Sequence, residues 1–221
     1  NQYCDISYDF QAPIRETGEL AGSYHQIKKL HYFLNEFGDR LAPMAPVIPS
    51  NQKSTEDLQW AIRTDGESGF VFGLNYYRNF KKPLQSGVQF EVSLEKGKIL
   101  FPAKPVEIVD SCMFIWPFNM DLGGVNLKYA TAQPLCRILE KGVEKWFFLK
   151  TKNVQPEICI DADEIVLFKS NGKPVYPKAD NYLLTDINAG SGNKIDIKTS
   201  KGKNLRIIIL DESEADNVWF F

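Results

Sequence analysis

Histidine is the side chain that most often serves as a base near neutral pH, and this sequence has two, His25 and His31. They lie six positions apart in a segment with helical periodicity, which corresponds to about 600° of rotation and therefore to different faces of a helix. They cannot share a metal ion or act as a catalytic pair. Because a serine or cysteine nucleophile needs a base within reach, nucleophilic catalysis is not indicated. We predict that both histidines are exposed or partly packed on the helix.

Paired carboxylates are the other source of acid–base chemistry, because glycoside hydrolysis needs two of them facing each other across a sugar. The dipeptide Asn35-Glu36 is typical of the acid/base of sugar-cleaving barrels, where it lies at the end of a parallel strand. Here Glu36 falls on the last turn of the predicted helix, so a catalytic role is not expected. In the acidic segment 211–216 we predict a helix that starts near Ser213, with Trp219 packing back on a sheet.

Aromatic side chains could serve as stacking surfaces for sugar rings if a β-sandwich exposes them. The candidates are Trp60, Tyr76, Tyr77 and Trp116. With 15 Phe, 9 Tyr and 4 Trp in the chain, packing in a core accounts for most aromatic residues without any ligand. Both interpretations therefore stay open for these four residues.

Cysteine spacing gives no indication of a metal site. Cys4, Cys112, Cys136 and Cys159 are far apart and lack the close pairs of structural zinc sites. Cys112 and Cys136 lie among apolar residues and are predicted to be buried, whereas disulfide pairing is left open. The glycine-rich segment 188–193 is not followed by an amphipathic helix, so a phosphate-binding loop is not predicted. No cofactor is expected.

The composition is that of an ordinary globular protein. The chain has 221 residues, of which 43% are hydrophobic, and its 26 basic and 28 acidic residues give a net charge of −2. This balance argues against a dedicated nucleic-acid-binding protein, which needs an excess of clustered basic residues. Apolar runs are far shorter than the roughly 18 residues that a membrane span needs. The first residue is Asn1, and we expect the chain to be a piece of a longer protein.

One segment has clear helical periodicity. Ser23 and Gln26 could form a capping box at its start, and Gly38 could end it in a left-handed conformation. The apolar positions recur at steps of three and four residues, which predicts a single buried face. These positions are Tyr24, Ile27, Leu30, Phe33 or Leu34, and Phe37.

Beyond residue 54 the pattern is that of β-structure. Residues 88–94 alternate between apolar and polar, and several Gly-containing turns, the clearest at Asn171-Gly172, separate further apolar segments. We predict a mainly β fold with an antiparallel β-sandwich, jelly-roll or Ig-like, preceded by one α-helix. Three units are expected: a helix with a proline-rich linker (1–45), a sandwich (46–155), and a second small β module or a continuation of the sandwich (156–221).

Three stretches together resemble the region after the catalytic barrel in family 35 glycoside hydrolases, the β-galactosidases. The first is Ser7-Tyr8-Asp9-Phe10-Gln11-Ala12-Pro13-Ile14 with Glu16 and Gly18, the second runs from residue 115 to 135 and includes Trp116-Pro117-Phe118-Asn119 and Asp121-Leu122-Gly123-Gly124, and the third covers 205–219. The resemblance implies that the helix is left from a (β/α)8 barrel, which it closes.

The resemblance also implies that the two catalytic glutamates lie upstream of this chain. A complete barrel takes roughly 250 residues, so this chain alone is expected to be inactive. Tyr8, Asp9 and Phe10 would lie near the galactose site, with Phe10 in place of a tyrosine. The implied partner is the missing barrel, with galactosides or other glycans and dimer formation through the helix as further options. The implied location is extracellular or periplasmic. The alternative function is an independent carbohydrate-binding module.

Overall fold

The fold is mainly β, as predicted, with an antiparallel β-sandwich preceded by one helix and a second short helix near the C-terminus. A computed structural model describes residues 12–50, 52 and 54–220. The helices and strands in chain order are α1 Gly22–Leu41, β1 Ala45–Val47, β2 Gln59–Thr64, β3 Gly69–Asn75, β4 Gln85–Leu94, β5 Gly97–Ile108, β6 Cys112–Asp121, β7 Asn126–Ala130, β8 Ala132–Glu140, β9 Val143–Lys150, β10 Ile158–Asp161, β11 Ile165–Ser170, β12 Lys173–Pro174, β13 Asn181–Leu184, β14 Lys194–Thr199, β15 Asn204–Leu210 and α2 Glu212–Asn217.

Two large sheets and one hairpin contain all of these strands. A seven-stranded sheet has the order β1-β2-β3-β6-β7-β10-β13, and a six-stranded sheet has the order β12-β11-β14-β15-β9-β8. All strand pairs in these sheets are antiparallel except β15 and β9, which run parallel. Strands from both sides of residue 155 pair within each sheet, since β10 pairs with β7 and β15 pairs with β9. The predicted units 46–155 and 156–221 therefore contribute strands to the same two large sheets.

The main core lies between the two large sheets. Along β15, Leu205, Ile207 and Ile209 point into this core, whereas Ile208 and Leu210 point to the opposite face and pack with α2. This alternation follows from the two-residue period of a β-strand. A single strand thus contributes to two apolar clusters, and α2 covers the outer one.

A second core lies on the other face of the seven-stranded sheet, where the β4–β5 hairpin packs. Phe90 and Phe101 of the hairpin contact the aromatic residues of β6, including Phe114 and Trp116. Gly73 of β3 pairs with Phe114, and a Cβ at Gly73 would lie 2.0 Å from the Phe114 ring. The sheet is therefore covered on both faces, in three layers.

Helix α1 is longer than predicted, and the predicted signals at its ends are wrong. Ala21 is the N-cap residue and makes no side-chain hydrogen bond, so Ser23 does not cap the helix. Gly38 lies inside the helix, which continues to Leu41. The continuation is possible because intrahelical hydrogen bonds and packing outweigh the cost of about 1 kcal/mol for one glycine.

The proline-rich segment is not a free linker. Its residues Ala45–Val47 form β1, which pairs with β2 at the edge of the seven-stranded sheet, where a strand tolerates proline. Met44 is buried. Arg63 of β2 donates from Nε to the Met44 carbonyl at 2.8 Å and from Nη2 to the Leu41 carbonyl at 3.2 Å. The end of α1 is therefore attached directly to the sheet.

Candidate functional site

Helix α1 has an inner face that belongs to the main core. Phe33 and Phe37 are almost completely buried, with ring centroids 5.3 Å apart. Phe33 lies 5.3 Å from Phe70 of the seven-stranded sheet, and Phe37 lies 6.4 Å from Trp146 of the six-stranded sheet. These two side chains of α1 thus close one edge of the sandwich by reaching both sheets.

Two buried lysines of α1 hold the end of helix α2. The Nζ of Lys28 donates to the carbonyl oxygens of Asp216 (2.6 Å) and Val218 (2.9 Å), which are at the C-terminus of α2. The Nζ of Lys29 contacts the Asp216 carboxylate at 2.9 Å. Burial lowers the pKa of Lys28, and the neighbouring Asp216 opposes this effect. Trp219 packs against Lys28 at 4.3 Å and against α1, not on a sheet as predicted.

The apolar stripe of α1 extends beyond Phe33 and Phe37 to adjoining positions that the described part of the structure leaves partly exposed. Ile27, Leu30 and Leu34 are 39%, 45% and 41% exposed, and we call these three residues the outer face of α1. The prediction that they share one buried face with Phe33 and Phe37 is wrong. Leu20 and Ile14, which precede the helix, are exposed as well. The apolar stripe of α1 is therefore wider than the part of it that the sandwich buries, which leaves its outer part available for a second contact.

Glu36 forms part of an ion-pair cluster beside α1. Its carboxylate lies 3.1 Å from Nε of Arg137 on β8, and Arg137 also contacts Glu144 at 3.5 Å. Lys203 approaches Glu144 at 2.6 Å. The Glu36 carboxylate is thus neutralised by a guanidinium and ties α1 to β8. In this arrangement it serves to attach the helix.

The four candidate stacking residues have different environments. Trp116 is completely buried in the second core, stacks on Phe114 at 4.2 Å and donates from Nε1 to Thr151 at 2.8 Å. Of the two interpretations left open for Trp116, packing in a core therefore applies, because the β4–β5 hairpin covers its strand and leaves the ring inaccessible. Trp60 is half-buried and packs edge-on against Phe90 at 5.3 Å. Tyr76 and Tyr77 are exposed.

The two exposed tyrosines lie on a loop whose later residues line an open cleft. This loop, residues 76–84, joins β3 to β4, and the cleft beside it has a volume of about 710 Å³. Part of the loop lines the cleft together with residues 109–110 and 152–153 and with Glu56. Tyr76 and Tyr77 are therefore the two of the four candidates that are exposed, although neither of them lines the cleft.

The remaining predicted residues are dispersed or outside the described part. Tyr8, Asp9 and Phe10 lie outside the described residues. His25 is half-buried beside Tyr24 and His31 is exposed, as predicted. Among the described residues, no group of three or more His, Cys, Asp or Glu side chains is placed to hold a metal ion. None of the described helices is long and apolar enough to cross a membrane.

The described cysteines are buried free thiols. Burial raises the pKa of Cys112 to about 11, of Cys136 to about 12 and of Cys159 to about 11. These thiols are therefore protonated at neutral pH and are poor nucleophiles. The prediction that Cys112 and Cys136 are buried is confirmed. Cys4 lies outside the described residues.

Sequence reasoning missed the buried polar residues that fix these surfaces. Lys28 and Lys29 interrupt the apolar periodicity of α1, and Asn75 and Lys82 lie at the two ends of the 76–84 loop. Only Asn75, the last residue of the apolar strand β3, gave a sequence signal, because an amide at the end of a buried strand often satisfies backbone groups.

No protein-family model matches the sequence, and a search of curated proteins finds no significant match.

Proposed function

We propose that this chain is the non-catalytic β-sandwich region of a β-galactosidase-like glycoside hydrolase, and that its α1 supports the catalytic barrel. The observation that carries the proposal is the outer face of α1. Ile27, Leu30 and Leu34 form an apolar stripe on a helix whose other side is already fixed in the sandwich. The strands of a (β/α)8 barrel are surrounded by a ring of helices, and the apolar outer face of α1 suits one position in that ring.

The buried contacts of the inner face support this role. Because Phe33 and Phe37 lie in the main core and Glu36 is paired with Arg137, α1 is an integral part of the sandwich. A domain that packs on the outer face would therefore be held against the whole β region. The resemblance to family 35 supports a barrel as that domain. Together these features favour a supporting role and not one in catalysis.

The first test is turnover of an aryl β-galactoside by the isolated chain. We expect none, because the catalytic glutamates of the family would lie on barrel strands that this chain lacks. Turnover that a point mutation within residues 1–221 abolishes would refute the proposal. The reading frame upstream of residue 1 should encode a barrel with two glutamates at strand ends.

The second test uses the full-length protein with charges placed on the outer face. Leu30→Asp with Leu34→Asp should lower the midpoint of thermal unfolding and β-galactosidase activity, since carboxylates would be buried without partners. Val166→Asp is the matched control, because Val166 is an exposed apolar residue on β11, away from α1. Equal effects of both changes would contradict the proposed interface.

A further inference from the structure

We propose that the 76–84 loop is a peripheral membrane-binding element, which places aromatic side chains and cations against an anionic lipid surface. Its contact residues are Tyr76, Tyr77, Arg78, Phe80 and Lys81, all of which are exposed. This contact is separate from the outer face of α1 and does not depend on the presence of a barrel. It assigns an interaction to a loop that the supporting role leaves without a function.

The loop exposes three aromatic rings within five residues. Tyr76, Tyr77 and Phe80 are 46%, 49% and 70% exposed. The Phe80 amide donates to the Tyr77 carbonyl at 3.3 Å, which closes a tight turn with Arg78 and Asn79 at its tip. Exposed aromatic residues that cluster on a folded protein mark an interaction surface, because ordinary surfaces carry such residues singly.

The arrangement of these rings favours an extended partner over an enclosed ligand. None of the three rings is among the residues that line the adjacent cleft, so they do not enclose a ligand there. The rings of Tyr77 and Phe80 lie 5.6 Å apart but are inclined by 58°, so they form no common plane for the stacking of consecutive sugars or bases. A bilayer needs no such plane, because its interface accepts aromatic side chains that protrude singly.

The chemistry of the side chains matches the order of layers in a membrane interface. Phe80, which has no hydroxyl group, is the most exposed of the three rings and would enter the boundary of the acyl chains. The hydroxyl groups of Tyr76 and Tyr77 suit the level of the lipid headgroups, where tyrosine is enriched in membrane proteins. Arg78 in the turn and Lys81 after it are exposed and would contact lipid phosphates.

Buried polar groups hold the base of the loop in one conformation. Asn75 is completely buried, and its amide nitrogen lies 3.0 Å from the Pro83 carbonyl. Lys82 is also buried and donates from Nζ to the carbonyl oxygens of Thr55 and Asp57. A loop fixed at both ends loses little conformational entropy when its exposed rings enter a lipid surface.

Positive charge predominates on the loop and in the cleft beside it. Residues 76–84 include three basic residues and no acidic one. The lining of the cleft adds Lys152 and the carboxylates of Glu56 and Asp110, so four cations stand against two carboxylates. An anionic lipid surface attracts this excess of cations, and added salt screens the attraction.

The test is co-sedimentation of the whole chain with large lipid vesicles. One set contains equal amounts of phosphatidylglycerol and phosphatidylcholine, and the other contains phosphatidylcholine alone. We expect the chain to bind the anionic vesicles at least about tenfold more strongly, since each exposed cation near an anionic surface contributes about fivefold. Equal binding to both sets, or binding to neither, would overturn the proposal.

Variants of the loop separate the aromatic contribution from the cationic one. Phe80→Ala should weaken binding to the anionic vesicles about tenfold, because it removes the ring that leaves water on binding. Arg78→Gln with Lys81→Gln should weaken it about thirtyfold. Phe80→Trp should bind at least as tightly as the parent, since tryptophan also prefers the interface, and weaker binding would indicate a partner with a shaped pocket and overturn the proposal. Thermal unfolding of every variant should match that of the parent, since the substituted side chains are exposed.

The matched control is the segment 173–178, in which an 81% exposed tyrosine, Tyr176, also lies between two exposed lysines. Tyr176→Ala, and separately Lys173→Gln with Lys178→Gln, should leave binding unchanged. The proposal is overturned if the loop variants lose no more binding than these controls do. It is also overturned if the chain binds soluble polygalacturonate, an anion without an apolar interior, in a Phe80-dependent way and does not bind vesicles. None of these outcomes depends on α1 or on a barrel.

Discussion

The inner and outer faces of α1 both have large apolar side chains but different kinds of neighbours. The inner face contributes two phenylalanines to the main core and two lysines that hold α2, whereas the outer face has three aliphatic side chains that nothing described in the structure covers. The difference teaches that only one face stabilises this fold. The other face is available for a partner, and substitutions on the two faces should separate stability from association.

The largest effect is expected at Phe33. Phe33→Ala removes a ring that contacts Phe37, Phe70 and Phe72 and leaves a cavity between the sheets. The free energy of unfolding should fall by about 3–5 kcal/mol, measured by urea denaturation. A loss below about 1 kcal/mol would show that the inner face is not part of the cooperative core.

Cys136 provides a second measure of how firmly the inner face is attached. It lies on β8 in the apolar cluster that includes Tyr32 of α1, and burial and then Glu36 raise its pKa to about 12. Phe33→Ala should speed the labelling of Cys136 by a thiol reagent by about a hundredfold or more if labelling requires global unfolding, since a loss of about 3 kcal/mol corresponds to about two powers of ten. Site-resolved mass spectrometry measures this rate and separates Cys136 from the other thiols.

Substitutions on the outer face should leave Cys136 labelling unchanged. If Leu30→Ser accelerated it as much as Phe33→Ala does, the two faces would not be separable.

A smaller effect is expected at Lys28. Lys28→Met keeps the aliphatic stem but removes the donor to the carbonyl oxygens of Asp216 and Val218, so the free energy of unfolding should fall by about 1–2 kcal/mol. Hydrogen exchange should accelerate most in α2, whose C-terminus loses its two contacts with Lys28. Uniformly faster exchange would mean instead that Lys28 stabilises the whole sandwich.

The smallest effect on stability is expected on the outer face. Leu30→Ser combined with Leu34→Ser should lower the free energy of unfolding by no more than about 1 kcal/mol, because both side chains are about two-fifths exposed and serine is only a slightly poorer helix former than leucine. The same variant should reduce self-association of the isolated chain at high concentration, measured by light scattering. Deleting residues 1–45 would not serve as this test, since it would also remove Phe33 and Phe37 from the core.

The fold class could be predicted from sequence because its signals are local. The two-residue hairpin turns at Lys141-Gly142 and Asn171-Gly172 have positive φ at both positions, as this kind of turn requires. Alternation along β4 correctly predicted that Phe90 and Val92 are buried. Pairing between distant strands, such as the parallel contact of β9 with β15, leaves no such local signal.

The faces of α1 could not be predicted for a different reason. Its apolar residues form one wide stripe, so periodicity alone does not say which part of the stripe meets the sandwich. The inner face also includes Lys28 and Lys29, which sequence patterns assign to solvent, although their stems pack and their ammonium groups bind α2. For the same reason the sequence identified the tyrosines of the 76–84 loop as candidates but not Asn75 and Lys82, the buried residues whose hydrogen bonds fix the loop.

The direct connection from α1 into β1 has a mechanical consequence. Arg63 binds the last turn of the helix and the residue before the strand, and β1 is already hydrogen-bonded to β2. No hinge separates the helix from the sheet, so the two must turn as one rigid body. Any domain seated on α1 would therefore keep a constant angle to the sandwich.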